Sequence, residues 1–207
     1  MSPSSEPLRR SDLLPDPLAQ FLAWFATARE GGVETPEAMA LATATSWGVP
    51  SVRMVLLKSA DERGFSFFSN HLSRKGTELD ENPRAALLFH WEPLGRQIRI
   101  EGSVARLPAA ESDVYFRTRP LGSRVGAIAS PQSRPIASRE WLESRVAEVV
   151  AEIGESREPE RPEHWGGYLL RPAAFQFWQH RDDRLHDVFR YLPGATGDGW
   201  SIERIGP

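Results

Sequence analysis

The chain has no cysteine, which excludes a disulfide frame, a thiolate metal site and a cysteine nucleophile. It has no apolar run near the ~20 residues that cross a bilayer. Its first fifteen residues, MSPSSEPLRRSDLLP, have no signal-peptide core, so a cytoplasmic protein is expected. The five histidines (His71, His90, His164, His180 and His186) form no i,i+4 pair or other ligand spacing, so no metal is expected. Gly-x-Ser-x-Gly, a glycine-rich dinucleotide fingerprint and internal repeats are also missing. A net charge of −3 argues against a general nucleic-acid binder, so any basic site has to be local.

What remains is a chain of 207 residues, 40% apolar and 26% charged, long enough for one domain with a substantial core. Residues 1–15 read as a flexible tail and 16–207 as a single domain. Asp16-Pro17 predicts a helix start, with Phe21, Leu22, Phe25 and Ala28 as its apolar face and Gly31-Gly32 as its end. From Ala38 the period changes to that of strands. AMALATATS, SVRMVLLKS and FSFFSN read as three consecutive antiparallel strands joined by the turns WGVP and ADERG. A short helix over 73–81 stops before Pro83, and RAALLFHWE and RQIRIEGSVARL follow as strands.

The middle is helical. One helix spans 109–118 and is broken by Pro120; a short turn runs from Ser123 to Ala129. An amphipathic helix over 138–153 places Leu142, Val146, Val149, Val150 and Ile153 on one side. A charged, proline-rich loop (ESREPERPEHW) leads into GGYLLRP, FQFWQH, HDVFRY and WSIERI, read as the last strands. Strands at hairpin spacing at both ends predict an α+β fold, mainly β, built on one antiparallel barrel with flanking helices.

Four stretches carry candidate chemistry. Ser73-Arg74-Lys75 places two cations at a helix start, where they oppose the macrodipole; it is either a solvated basic cap or a phosphate site. Tyr115 and Arg119 share a helix face, and Ser123 sits where the next turn would be capped; this is packing plus a surface charge, or a second phosphate site. On the strand 53–58, Arg53 and Lys58 lie five apart and are expected on opposite faces. In the stretch 178–187, Arg184 and His186 would share a face if the segment is extended, setting a fixed cation beside a group that titrates near neutrality; the alternative is a solvated turn.

Seven motifs occur together and in order: RMVLLK (53–58), SRK (73–75), GRQIRIEG (95–102), YFRTRPLGS (115–123), PQS (131–133), HWGGY (164–168) and FWQ…RLHD (177–187). From about Asp16 to Pro207 the chain resembles the pyridoxamine 5′-phosphate oxidase family. The resemblance implies an antiparallel split β-barrel homodimer with FMN at the subunit interface. The FMN contacts it implies are Arg53, Met54, Val55, Leu56, Leu57, Lys58, Phe68, Ser69, Arg74, Lys75, Gln97, Gln132, Ser133 and Trp178. The substrate phosphate maps onto Lys58, Tyr115, Arg119 and Ser123, while Arg184, Leu185 and His186 map onto the segment that closes over the pyridine ring. The implied reaction oxidises pyridoxamine or pyridoxine 5′-phosphate with O₂ and releases hydrogen peroxide. Arg184 is the implied catalytic group over the flavin, with His186 an orienting or proton-handling neighbour.

The sequence departs from the family pattern in three places. Val188 stands where an arginine usually follows RLHD, QHRDD (179–183) replaces a glycine-containing segment, and only Arg9-Arg10 stand near the place of an N-terminal Arg-x-x-Tyr arm. Two other functions therefore stay open. One is the related FMN oxidase of phenazine biosynthesis, whose substrate carries no phosphate. The other is a flavin- or pyridoxal-phosphate-binding protein with little catalysis.

Overall fold

A computed structural model describes residues 7–154, 158–195 and 199–207. Among the described residues nine antiparallel strands form one sheet: β1 (Ala38–Ala44), β2 (Pro50–Leu56), β3 (Ser59–Asp61), β4 (Gly64–Asn70), β5 (Arg84–Trp91), β6 (Arg96–Arg106), β7 (Trp165–Gln179), β8 (Asp187–Pro193) and β9 (Trp200–Ile205). The order is β2-β1-β5-β6-β7-β4-β3, with β8 on β7 and β9 on β8. This is the expected antiparallel barrel. Among the described residues no helix is long and apolar enough to cross a membrane.

The first strands differ from the expected meander. β1 and β2 form the hairpin, but the chain then leaves β2 at Leu57 and crosses to the far end of the sheet, where β3 and β4 pair. At that point the Leu57 amide donates to the Glu37 carbonyl at 2.9 Å and the Lys58 amide to the Ser66 carbonyl at 2.8 Å. A second difference is that GGYLLRP and FQFWQH are one strand. β7 runs straight through Pro172 because its register against β6 shifts there, Gly102 facing Pro172 and Glu101 facing Ala174. The bulge leaves Ala173 without a partner and absorbs the missing proline N–H. Gly102 is required at this crossing, since a Cβ would lie 2.0 Å from the Arg171 carbonyl oxygen. The bend gives β7 two neighbours on its second edge, β4 along 165–170 and β8 along 175–179, and so splits the barrel.

Among the described residues five α-helices flank the sheet: α1 (Pro17–Glu30), α2 (Arg74–Glu81), α3 (Ala109–Thr118), α4 (Leu121–Ala129) and α5 (Arg139–Ile153). The Asp16 carboxylate caps α1, accepting from the amides of Leu18 and Ala19. Phe21 of α1 is fully buried, edge-on to Phe65 at 4.9 Å and to Phe89 at 5.0 Å, and Trp24 meets Phe177 at 5.3 Å. Each such ring contributes roughly 2–3 kcal/mol of burial. The buried face is thus Gln20, Phe21, Trp24 and Ala28, and Leu22, expected on it, is exposed. On α5, Val149 is buried against Val125 and Ala129 of α4 with Val146 and Ile153 beside it, but Val150 faces out at 52% exposure.

Residues 7–15, expected in a flexible tail, are held against the barrel. Leu8 and Leu13 are buried, the Leu8 amide donates to Asp187 at 3.0 Å, and the Tyr191 hydroxyl donates to the Leu14 carbonyl at 2.8 Å. Two apolar side chains and a segment of unpaired backbone find partners there that a free tail would leave to water. Residues 1–6 of that segment, and 155–157 of the proline-rich loop, lie outside the described residues.

Candidate active site

A cleft of about 1110 Å³ is walled by β2, the end of β4, the start of α2, the α3–α4 junction and the segment 130–133. Its lining holds five cations, Arg53, Lys58, Arg74, Lys75 and Arg119, and no carboxylate. In a chain of net charge −3 that segregation is a local field for anions.

One cationic group gathers at the start of α2. Gly76 lets this helix close onto the preceding loop, since a Cβ there would lie 2.0 Å from the His71 carbonyl oxygen. Ser73 occupies the N-cap, yet no side chain caps the helix; its hydroxyl donates back to the Asn70 carbonyl at 2.7 Å. The buried Lys75 ammonium donates to Ser69 Oγ (3.1 Å), Ser73 Oγ (3.1 Å) and Gln132 Oε1 (3.0 Å). Burial, helped by the nearby Arg53, lowers its pKa to about 8. Ser133, at the rim, holds a left-handed backbone at φ 69°.

Behind this group lies Glu78, which is buried and pairs with Arg53 at 3.3 Å and with Arg74 at 2.8 Å while accepting from the Thr43 and Ser51 hydroxyls. Burial would raise its pKa, but those hydroxyls, Arg74 and the charge of Arg53 outweigh it and hold the carboxylate at about 2. Glu78 orients both guanidiniums from outside the cleft. Its spacing of four from Arg74 on one helix is the signal that sequence reasoning passed over.

The second cationic group surrounds Tyr115. Phe68 stacks on Tyr115 at 4.0 Å and on Trp165 at 5.5 Å, which makes a three-ring wall. Arg119 lies 4.5 Å above Trp165, and the Lys58 ammonium lies 5.8 Å from the Tyr115 ring. Among the described residues neither cation has a carboxylate partner, and Arg119 Nη1 is buried without a hydrogen-bond acceptor. Burial lowers the Arg119 pKa from its ordinary value. A buried guanidinium lacking an acceptor is costly, and a bound oxyanion would remove that cost. Ser123 belongs to the first turn of α4 rather than to its cap; Pro120 holds the cap position, suited to it by a fixed φ and no N–H.

Arg53 and Lys58 both line this cleft, as do residues of both strand faces from Ser51 to Leu56, so one cleft meets both cations. β2 ends at Leu56, and Leu57 goes into the core. Of the other expected contacts, Met54, Val55, Leu56, Phe68, Ser69, Arg74, Lys75, Gln132 and Ser133 line this cleft, as do Tyr115, Arg119 and Ser123. Asn70, Thr118, Ser130 and Trp165 also line it and were not anticipated, although Trp165 lies within the HWGGY motif.

Gln97, Trp178, Arg184, Leu185 and His186 are not brought to this cleft. Gln97 and Trp178, cross-strand neighbours on β6 and β7, line a separate cavity of about 350 Å³ that shares Val52 with the cleft. The segment 182–184 is a 3-10 turn rather than extended, with Asp183 at φ 55° and Arg184 at φ 61°, so the shared Arg184–His186 face does not form. Two consecutive left-handed residues cost roughly 1–2 kcal/mol each. Leu185 is 72% exposed, while His186 folds back to 4.5 Å from Trp178 and 5.3 Å from His180. Val188 is buried on β8 opposite Trp178.

Comparison with known proteins fits this geometry. Residues 22–151 match the model of the family described as "Pyridoxamine 5'-phosphate oxidase", and residues 165–207 match "Pyridoxine 5'-phosphate oxidase C-terminal dimerisation region". The chain belongs to the pyridoxamine 5′-phosphate oxidase family. It is 52% identical over 200 residues to a pyridoxine/pyridoxamine 5′-phosphate oxidase of Salinibacter ruber, covering 97% of this chain and 93% of the relative. A protein of the same description from Cupriavidus necator is 54% identical over 202 residues, with the same coverage. Among solved structures, PhzG from Burkholderia lata in complex with tetrahydrophenazine-1-carboxylic acid superposes with a TM-score of 0.90 at 35% identity, covering 99% of this chain and 100% of that one. A related FMN-binding protein from Nostoc punctiforme, at a TM-score of 0.71 and 17% identity over 94% of this chain and 100% of that one, shares the fold.

Proposed function

We propose that this protein is an FMN-dependent oxidase that converts pyridoxine or pyridoxamine 5′-phosphate to pyridoxal 5′-phosphate, with O₂ reduced to hydrogen peroxide, in the cytoplasm. The observation that carries this reading is the cleft with two cationic groups and no carboxylate. It suits two phosphates, one from the cofactor and one from the substrate, and family members at 52–54% identity are oxidases of those phosphates.

The α2 end fits the phosphate of FMN. A helix start without a side-chain cap, Arg74, a buried Lys75 and an Arg53 already oriented by Glu78 together supply fixed donors. Gln132 and Ser133 close that end. Bound there, FMN supplies the two-electron redox chemistry and reacts with O₂. Lys58, Tyr115, Arg119 and Ser123 hold the substrate's phosphate, satisfying the buried Arg119 Nη1. Phe68, Tyr115 and Trp165 exclude water from that side.

A second copy of the chain completes the site in this reading. The face that carries Gln97 and Trp178 continues into Val52 (68% exposed), Met54 (64%) and Leu88 (38%), more apolar surface than a lone strand keeps in water. A homodimer formed through this face and the family's dimerisation region would bring the partner copy's Gln97, Trp178, Arg184, Leu185 and His186 toward the cleft. Arg184 would then position the ring and stabilise developing charge, with His186 beside it.

The PhzG likeness favours a second reading, an oxidase of a dihydrophenazine carboxylate. Against it, that substrate has no phosphate for Lys58, Tyr115, Arg119 and Ser123 to hold. Purified protein should be yellow with FMN and release peroxide from pyridoxine or pyridoxamine 5′-phosphate. Bound FMN without turnover of either would overturn the main reading in favour of a flavin binder, the outcome Val188 would favour. Turnover of the phenazine substrate alone would select the second reading.

A further inference from the structure

The Asp187 carboxylate is buried at the start of β8, directly after the segment 180–186, and joins three separate parts of the chain. Oδ2 accepts from the Leu8 amide at 3.0 Å, and Oδ1 accepts from Arg204 Nη1 of β9 at 2.5 Å. Arg204 also donates to the Leu8 carbonyl at 2.9 Å and lies 4.4 Å over the Phe189 ring, so the end of β9 and the segment around Leu8 are clamped together. The third partner is Arg181, whose Nε lies 3.8 Å from Oδ2.

Arg181 is held at one end by this ion pair, and its backbone amide donates to His186 Nδ1 at 3.1 Å. An amide nitrogen only donates, so Nδ1 is the acceptor and the proton of a neutral His186 ring sits on Nε2. The ring is packed at 4.5 Å from Trp178 and 5.3 Å from His180, which limits its rotation. The left-handed pair Asp183 and Arg184 spans the five-residue return from Arg181 to His186.

We propose that Asp187 is a positioning residue that, through Arg181, locks His186 as the Nε2–H tautomer and presents it as a hydrogen-bond donor rather than a base. His180 and Arg181 belong to the stretch QHRDD (179–183), while His186 and Asp187 belong to RLHD. The inference rests on the proposed oxidase reading for the role of His186 in the site; the tautomer itself does not.

Two measurements test it. Imidazole nitrogen–proton correlation NMR of the holoprotein should show His186 as the Nε2–H tautomer. In Asp187→Asn, which keeps the shape but loses the charge that holds Arg181 and Arg204, that single tautomer should be lost. Arg181→Ala, at a partly exposed position, should do the same and serves if the Asn variant does not fold. In kinetics, kcat should fall about tenfold, a small fraction of what misplacement by an ångström can cost. KM should hold within about twofold, because other residues grip the phosphate. In a His186→Ala background, Asp187→Asn should have no further effect on kcat. An unchanged tautomer in both variants, or effects that add to those of His186→Ala, would overturn the proposal. Wild-type protein that binds FMN but oxidises neither phosphate would overturn the oxidase reading instead, and the NMR result would still decide the lock.

Discussion

Lys75 is buried and Arg119 partly so, but their surroundings give them different roles. Arg119 Nη1 lacks an acceptor, so its guanidinium is prepared for an anion that the folded chain does not provide. Arg119→Ala should raise the KM for pyridoxine 5′-phosphate by about ten- to a hundredfold, the scale of a lost charge-assisted hydrogen bond. Steady-state peroxide release would measure this, and FMN affinity should be unchanged. Lys75 already has three acceptors and a pKa lowered to about 8. Its folded-state pKa is below the ordinary lysine value of 10.5, so the folded apoprotein sheds this proton first as pH rises. The burial cost is therefore fully present below pH 8 and is relieved between about pH 8 and 10.5. Binding has the opposite sign, because phosphate needs the charged ammonium. FMN affinity, read by flavin fluorescence, should weaken as pH rises through 8, and Lys75→Met should bind about tenfold more weakly with that limb flattened. A wild-type profile flat from pH 7 to 10 would rule this out.

At the scale of elements, the bulge between β6 and β7 decides the shape of the barrel. β7 has to bend at Pro172 to serve β4 with one half and β8 with the other. Gly102→Ala places a methyl 2.0 Å from the Arg171 carbonyl oxygen, so the strands must part. The expected cost is about 2–3 kcal/mol. At about 2–4 °C per kcal/mol for a chain of this size, the melting temperature should fall by roughly 5–10 °C. Calorimetry would show it, and a melting point within 2 °C of wild type would mean the bulge relaxes freely. The same scale explains one difference from the expected pattern. An ideal 3.6-residue face on α1 admits Leu22, but the core takes the large rings of Phe21 and Trp24 instead.

In the whole molecule, the residues that build the cleft and those that would close it line two separate cavities that meet at Val52. The apolar surface around Leu88 and Val52 is therefore expected to be an interface between two copies. Leu88→Glu places a carboxylate there, and an uncompensated charge in a dry interface costs several kcal/mol. Light scattering should show a monomer, and the protein should lose its yellow colour together with its oxidase activity. A variant that stays dimeric, or a monomer that keeps FMN, would exclude the shared-site arrangement.

The sequence by itself determined the antiparallel barrel and the two cationic groups, because period, capping and charge are local properties, and the resemblance of its motifs to a known family supplied most of the cleft lining. Asp16-Pro17 starts a helix wherever it stands, and Arg74 with Lys75 crowds a helix start in any fold. Only the tertiary structure decided which of these local features meet. It brought Lys58 and Arg53 to one cleft, buried Glu78 behind Arg53 and Arg74 and left Arg119 Nη1 without an acceptor. It also folded residues 182–184 into a left-handed turn and tied Leu8 to Asp187 across a sequence separation of 179. Such contacts depend on loop closure and on packing between distant segments, which local pattern does not encode.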